Sequence, residues 1–307
     1  MACAFGPVRH SVAGLPARIF VDSMNALAAQ FVAENYDLAA TLASGQAFRW
    51  RPMGGGWESV IASRWVRLRQ EGNIILAETA APVENWNWLR HYLQLDIDFS
   101  AIVRTFPSDE PMQTSLKSCA GLRLLRQEPW ECLASFICSS TKQIVQIQQI
   151  IGLLCRRFGE AILSPAGREP AYSFPDFARL TEVSEADLRA CKLGFRAPYL
   201  LGTARKLRDG EIDLSALHKL PLAEARAKLI ELPGVGLKIA DCALLFAYGF
   251  PGAFPVDVWI MKALRQLYFP GRAVKLPRLR RFSQTHFGPH AGYAQQYLFH
   301  YMRMKKR

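Results

Sequence analysis

Residues 232–242, Leu-Pro-Gly-Val-Gly-Leu-Lys-Ile-Ala-Asp-Cys, followed by Pro255-Val256-Asp257-Val258-Trp259, decide the reading of this chain. Gly234 and Gly236 free the backbone to turn sharply between a helix ending near Glu231 and another starting near Leu237. The successive N–H groups of such a turn, with Val235 between the glycines, point outward and can hold a phosphate. Lys238 then falls in the first turn of the second helix, where a primary amine is a candidate nucleophile. In isolation it reads first as a surface lysine paired with phosphate, and Asp257 further on reverses that preference. Asp257, just ahead of a helix, is a good N-cap on its own. Together they form an amine and a carboxylate in sequence register.

The rest of the composition narrows the partners. A chain of 307 residues, half of them hydrophobic, can bury a large core in one or two domains. Its net charge of +12 and pI near 9.6 suit a polyanion, and nucleic acid is the leading partner. No apolar run is long enough to span a bilayer, and no lysine-rich amphipathic helix suits a membrane surface. Met1–Phe20 carries neither a continuous apolar segment nor a compact basic start, so an intracellular protein is expected. The seven cysteines, Cys3, Cys119, Cys132, Cys138, Cys155, Cys191 and Cys242, are scattered in mostly apolar sequence and read as reduced core thiols. Without a Cys-x-x-Cys pair, local spacing builds neither a zinc site nor an iron–sulfur cluster.

Two halves follow from periodicity. From Leu38 to about Glu78 the pattern is strand-like, with Phe48–Trp50, Trp57–Ile61, Trp65–Leu68 and Ile74–Leu76 separated by turns at Gly54-Gly55-Gly56 and Gly72. An antiparallel sheet is expected. From Trp86 onward the spacing turns helical, as in Trp130, Leu133, Phe136 and Ile137, then Ile144, Ile147, Ile150, Ile151 and Leu154. Further helices are expected at 185–190, 197–208, 222–231, 237–248 and 256–268. The short basic tail Arg303–Arg307 reads as a solvated helix end.

The hairpin with Lys238 and Asp257 resembles the signature of the helix-hairpin-helix DNA glycosylase superfamily, in its bifunctional 8-oxoguanine glycosylase/lyase branch. Four more segments resemble the family in family order: Ser44–Trp50, Glu128–Ser140, Leu193–Ala197 and Gly288–Gln295. The resemblance spans about Leu38 to Phe299. It implies an α+β fold, with an N-terminal antiparallel sheet domain (TBP-like) over residues 1–118 and a helical catalytic domain over 119–307. It implies a monomer acting on damaged double-stranded DNA, with no cofactor and no metal.

The family roles transfer by matching position. Lys238 would attack C1′ of the deoxyribose. Asp257, held low in pKa by helix N–H groups, would stabilise the developing oxocarbenium charge and orient the lysine. Cys242, four residues after Lys238, shares its helix face and would line the base pocket, although a core thiol is the default. Gln295 and Phe299, spaced i and i+4, would pair with a Watson–Crick edge and stack on a purine. Gly45 would accept from the N7–H that distinguishes 8-oxoguanine from guanine.

Departures from the family pattern fall on the estranged base. Thr141 stands where an asparagine is usual and Gln146 where an arginine is usual. Arg196 remains, and Phe195 replaces a tyrosine wedge. Trp259 stands where a histidine is expected. Relaxed choice of opposite base is therefore anticipated. The competing readings are a glycosylase for alkylated or mismatched bases and a non-catalytic hairpin protein that only grips DNA backbone.

Overall fold

The computed structural model describes residues 26–305. Met1–Phe20, Cys3 and the end of the basic tail, read above, lie outside the described residues. Five strands make one antiparallel sheet: β1 (Ala26–Val32), β2 (Arg51–Met53), β3 (Gly56–Ile61), β4 (Arg64–Glu71) and β5 (Ile74–Val83), in the order β1-β5-β4-β3-β2. Period-two burial explains the pairing, since Ile75, Ala77 and Thr79 of β5 are buried while their neighbours are only partly covered. Gly54 and Gly55, both at positive φ, close a two-residue hairpin in which Met53 faces Gly56. The buried face packs on the Leu38–Ala43 and Asn87–Leu93 helices through Leu68, Ile75, Leu89 and Leu93.

A helical body follows, with its own larger core around Phe136, Ile150, Leu200, Ala240, Ile260 and Tyr297. Ile102, Phe106 and Met112 belong to this helical core, whereas Leu125 belongs to the sheet core. Several helix starts are set by side-chain acceptors placed one residue outside. Glu128 accepts from the N–H groups of Trp130 and Glu131, and Ser184 from Asp187. Among the described residues no helix is long and apolar enough to cross a membrane.

Phe48–Trp50 is not a strand, contrary to expectation; the residues bend, and β2 starts only at Arg51. The reason is that Phe48 and Trp50 serve different cores. Phe48 meets Phe136 edge-on at 5.4 Å in the helical core, while the Trp50 indole donates to the Tyr92 hydroxyl at 2.9 Å beside the sheet. In a strand, residues i and i+2 would face the same side. The expected 237–248 helix is likewise two pieces, an α-helix over Leu237–Ala243 and a wider i→i+5 turn over Leu244–Tyr248, closed by Gly249 at φ +75°.

Candidate active site

The hairpin lies between the Leu222–Ile230 and Leu237–Ala243 helices. Buried Leu232 and Val235 anchor it, and the Val235 N–H donates to the Leu232 carbonyl at 3.1 Å. Gly234 has φ +75°, and a Cβ there would stand 2.6 Å from Cβ of Tyr199. Only one glycine supplies a left-handed turn, however. Gly236 is extended, begins the second helix, and has open space where a side chain would go. It leaves backbone bare to solvent, as an approaching phosphate needs.

Lys238 points from that helix toward the Pro129–Cys138 helix. Its ammonium donates to Ser139 Oγ at 3.2 Å and sits 4.9 Å from the Phe136 ring centre. Neither partner was singled out from sequence; Phe136 carried only a helical-core signal, and Ser139 lay within a family segment. Cys242 is buried one turn further on. Burial pushes its thiol up to about 12, against the lowering pull of the adjacent Lys238. It is a neutral wall of the pocket at physiological pH and no rival nucleophile.

Asp257 caps the Val258–Tyr268 helix, its Oδ1 accepting from the Ile260 N–H at 2.8 Å. The expectation of a low pKa is overturned. Burial raises the carboxyl above the ordinary aspartate range, outweighing the helix N–H groups and the Lys238 charge that favour ionisation. The cap is present, but desolvation is the larger effect.

Gln295 and Phe299 stand one turn apart on the Ala291–Met304 helix. Gln295 is only 4% exposed, and its Oε1 has no hydrogen-bond partner among the described residues. Gly45 reaches the same place from the sheet side at φ +81°; a Cβ there would meet Ile144 Cδ1 at 2.6 Å and Phe299 Cε1 at 3.5 Å. The loop is locked by buried Gln46, whose Nε2 donates to the carbonyls of Thr41 and Arg123 and whose Oε1 accepts from the Leu125 N–H. Gln296 ties it to the last helix by donating to the Ser44 carbonyl at 3.3 Å.

These groups line one cavity of about 840 Å³, with Lys238, Cys242 and Asp257 at its wall together with Gly45, Gln295 and Phe299. That volume suits a purine nucleoside. Thr141 and Trp259 also line it, whereas Gln146, Phe195, Arg196 and the hairpin residues 234–236 do not. Phe195 is 53% exposed and suits a wedge. Gln146 is exposed and its Oε1 accepts from the Gln143 N–H, capping its own helix. Arg196 is only 2% exposed and donates to the carbonyls of Ser140 and Leu193 and to Thr141 Oγ1. Thr141 itself holds φ +56°. Among the described residues no three His, Cys, Asp or Glu side chains cluster to hold a metal ion.

Comparison with known proteins bears on the family and the fold. The sequence profile of the 8-oxoguanine DNA glycosylase N-terminal domain matches residues 29–133, and that of the HhH-GPD superfamily of base excision DNA repair proteins matches residues 134–282. A probable N-glycosylase/DNA lyase of Methanothermobacter thermautotrophicus is 31% identical over 88% of this chain and 94% of its own. The N-glycosylase/DNA lyase OGG1 of Arabidopsis thaliana is 33% identical over 85% and 76%. Among solved structures, the Clostridium acetobutylicum 8-oxoguanine glycosylase/lyase, in complex with double-stranded DNA containing cytosine opposite 8-oxoguanine, superposes with a TM-score of 0.84 at 33% identity, covering 89% of this chain and 93% of that one. The chain thus belongs to the 8-oxoguanine DNA glycosylase/lyase family of base-excision repair enzymes.

Proposed function

We propose that Lys238 is the nucleophile and Asp257 the electrostatic partner of a reaction on 8-oxoguanine in duplex DNA. The observation that carries this reading is the shared cavity, with an amine and a carboxylate on its wall together with a ring and a buried amide whose oxygen is unpaired. The target nucleotide leaves the stack, because its sugar carbon and full base edge are unreachable inside a duplex. Gln295 offers its free carbonyl to the N–H groups of the Watson–Crick edge, Phe299 packs on the purine face, and Gly45 discriminates the oxidised imidazole ring. The hairpin residues Gly234, Val235 and Gly236 take backbone phosphate.

Lys238 gives one ammonium proton to the departing base, and the lone pair this frees on Nζ bonds to C1′ as the C1′–N9 bond breaks with its electron pair staying on the base. The Asp257 carboxylate faces the positive charge that develops on the sugar. A proton passes from that nitrogen to the ring oxygen as the C1′–O4′ bond breaks, which leaves a sugar hydroxyl and a protonated imine between Lys238 and C1′. Removal of a C2′ proton expels the 3′ phosphate, and water releases the enzyme. We infer that one chain suffices, with the sheet domain (1–118) positioning Gly45 and the helical domain (119–307) carrying the lysine.

Single-turnover reactions on a duplex with one 8-oxoguanine test the reading. Wild-type protein releases free base and then cuts 3′ to the lesion, whereas Lys238→Gln does neither while still binding. Base release by Lys238→Gln at the wild-type rate would defeat the assignment.

A further inference from the structure

A second groove, of about 340 Å³, lies between the β2–β3 edge of the sheet and the Ile144–Phe158 helix. Two of its arginines converge from opposite sides. A Cβ placed on Gly152 would stand 3.1 Å from Arg51 Nη2 of β2 and 3.5 Å from Arg156 Nη1 of the helix, so both guanidinium groups lie against the bare Gly152 backbone, and both residues are exposed. Among the described residues neither has a hydrogen-bond or ion-pair partner. The groove's other arginines are engaged: Arg49 pairs with Glu131 at 3.4 Å and Arg168 with Glu58 at 3.2 Å. Glu169, an exposed carboxylate that also lines the groove, forms no ion pair with either Arg51 or Arg156.

Two exposed guanidinium groups that reach the same Gly152 backbone offer donors on both sides of an anion seated there. A phosphate suits guanidinium groups best, because their planar donors match its oxygens in pairs. The groove also continues into the reading face. Arg51 and Arg156 line an adjoining hollow with Lys192 and Val145, and Val145, 60% exposed, lines the base cavity as well. Lys192 stands three residues before the Phe195 wedge. From Ile144 at the cavity to Arg156 the helix extends about 18 Å, or about five base-pair steps of duplex.

We propose that Arg51 and Arg156 clamp a backbone phosphate of the duplex flank, within about five base pairs of the lesion. The sheet domain thereby touches DNA through β2, remote from the hairpin. The clamp rests on duplex DNA being the substrate, and it acts on grip, not on chemistry.

The test is equilibrium binding, across a salt series, to a 25-base-pair duplex carrying an uncleavable abasic analogue. Arg51→Gln/Arg156→Gln lowers the slope of log affinity against log salt by about 1–2 and weakens binding by about tenfold near 0.1 M salt. Single-turnover excision of 8-oxoguanine at saturating protein is unchanged. Arg51→Lys/Arg156→Lys keeps most of the slope. On a duplex trimmed to two base pairs either side of the lesion, the glutamine variant binds as wild type does. An unchanged slope on the long duplex overturns the clamp, and so does an equal loss on both duplexes, which would place the effect in the fold. Wild-type protein that bound neither duplex would overturn the substrate reading beneath it.

Discussion

Asp257→Asn separates two roles that one side chain combines. The cap requires an acceptor at 2.8 Å from the Ile260 N–H, and an amide oxygen supplies it. Asparagine ranks with aspartate as an N-cap, so the cap itself changes by no more than a few tenths of a kcal/mol, whereas Asp257→Ala loses about 0.5–2 kcal/mol. Excision behaves differently. Removing one preorganised electrostatic group from a developing charge typically lowers the rate by about 10²–10³, or about 3–4 kcal/mol of barrier. Asp257→Asn should therefore unfold at or above the wild-type temperature and excise 8-oxoguanine at least about a hundredfold more slowly.

The pH dependence carries its own sign. Burial raises the folded carboxyl above its unfolded value, so its contribution to stability is full in acid and is lost as pH rises through the raised value. Wild type thus loses stability relative to Asp257→Asn as pH climbs out of the ordinary aspartate range. Catalysis needs the ionised form, so the acid limb of single-turnover excision lies above that range and is absent in the variant. An Asp257→Asn protein that excises at the wild-type rate, or keeps the same acid limb, would show that the charge does no chemical work.

Three further outcomes follow from the pocket and its rim. Gly45→Ala forces a left-handed residue, a strain of about 1–2 kcal/mol, and puts a methyl 2.6 Å from Ile144 Cδ1; release of 8-oxoguanine should fall well below cleavage of a preformed abasic site, and equal losses would refute the slot. Gln295→Ala should show the same split, because an abasic site presents no base edge to the buried amide; parallel losses would make Gln295 a structural residue. Thr141→Asn/Gln146→Arg should sharpen selection of cytosine opposite the lesion, since a good base contact discriminates by about 1–3 kcal/mol; a native chain already as strict as the double variant in a four-base comparison would locate that choice elsewhere.

The helical body and the hairpin were legible because their signals are local: a 3.6-residue apolar period, capping acceptors, and a glycine turn before a lysine. Other features depended on what covers a residue. Phe48 and Trp50 look like adjacent strand positions, yet each is claimed by a different core. β1 carries one buried side chain, Phe31, with Ala29 packed at the margin, too faint an alternation to read. Asp257 reads as a low-pKa cap because the capping N–H groups are local, while the burial that outweighs them is assembled from distant segments. Arg196 matches the family by position, while its donation to Ser140 and Thr141 depends on a turn distant in sequence that no local pattern announces. The unpaired Arg51–Arg156 couple lay a hundred residues apart in sequence and carried no motif.

The central claim is that Lys238 forms the covalent bond to the sugar. Only an amine nucleophile leaves an imine that borohydride can reduce, so the direct measurement is reductive trapping on an 8-oxoguanine duplex followed by mass mapping of the cross-linked peptide. The account predicts a trapped complex whose adduct maps to Lys238 and disappears in Lys238→Gln; trapping that persists in that variant, or an adduct on another residue, would contradict it.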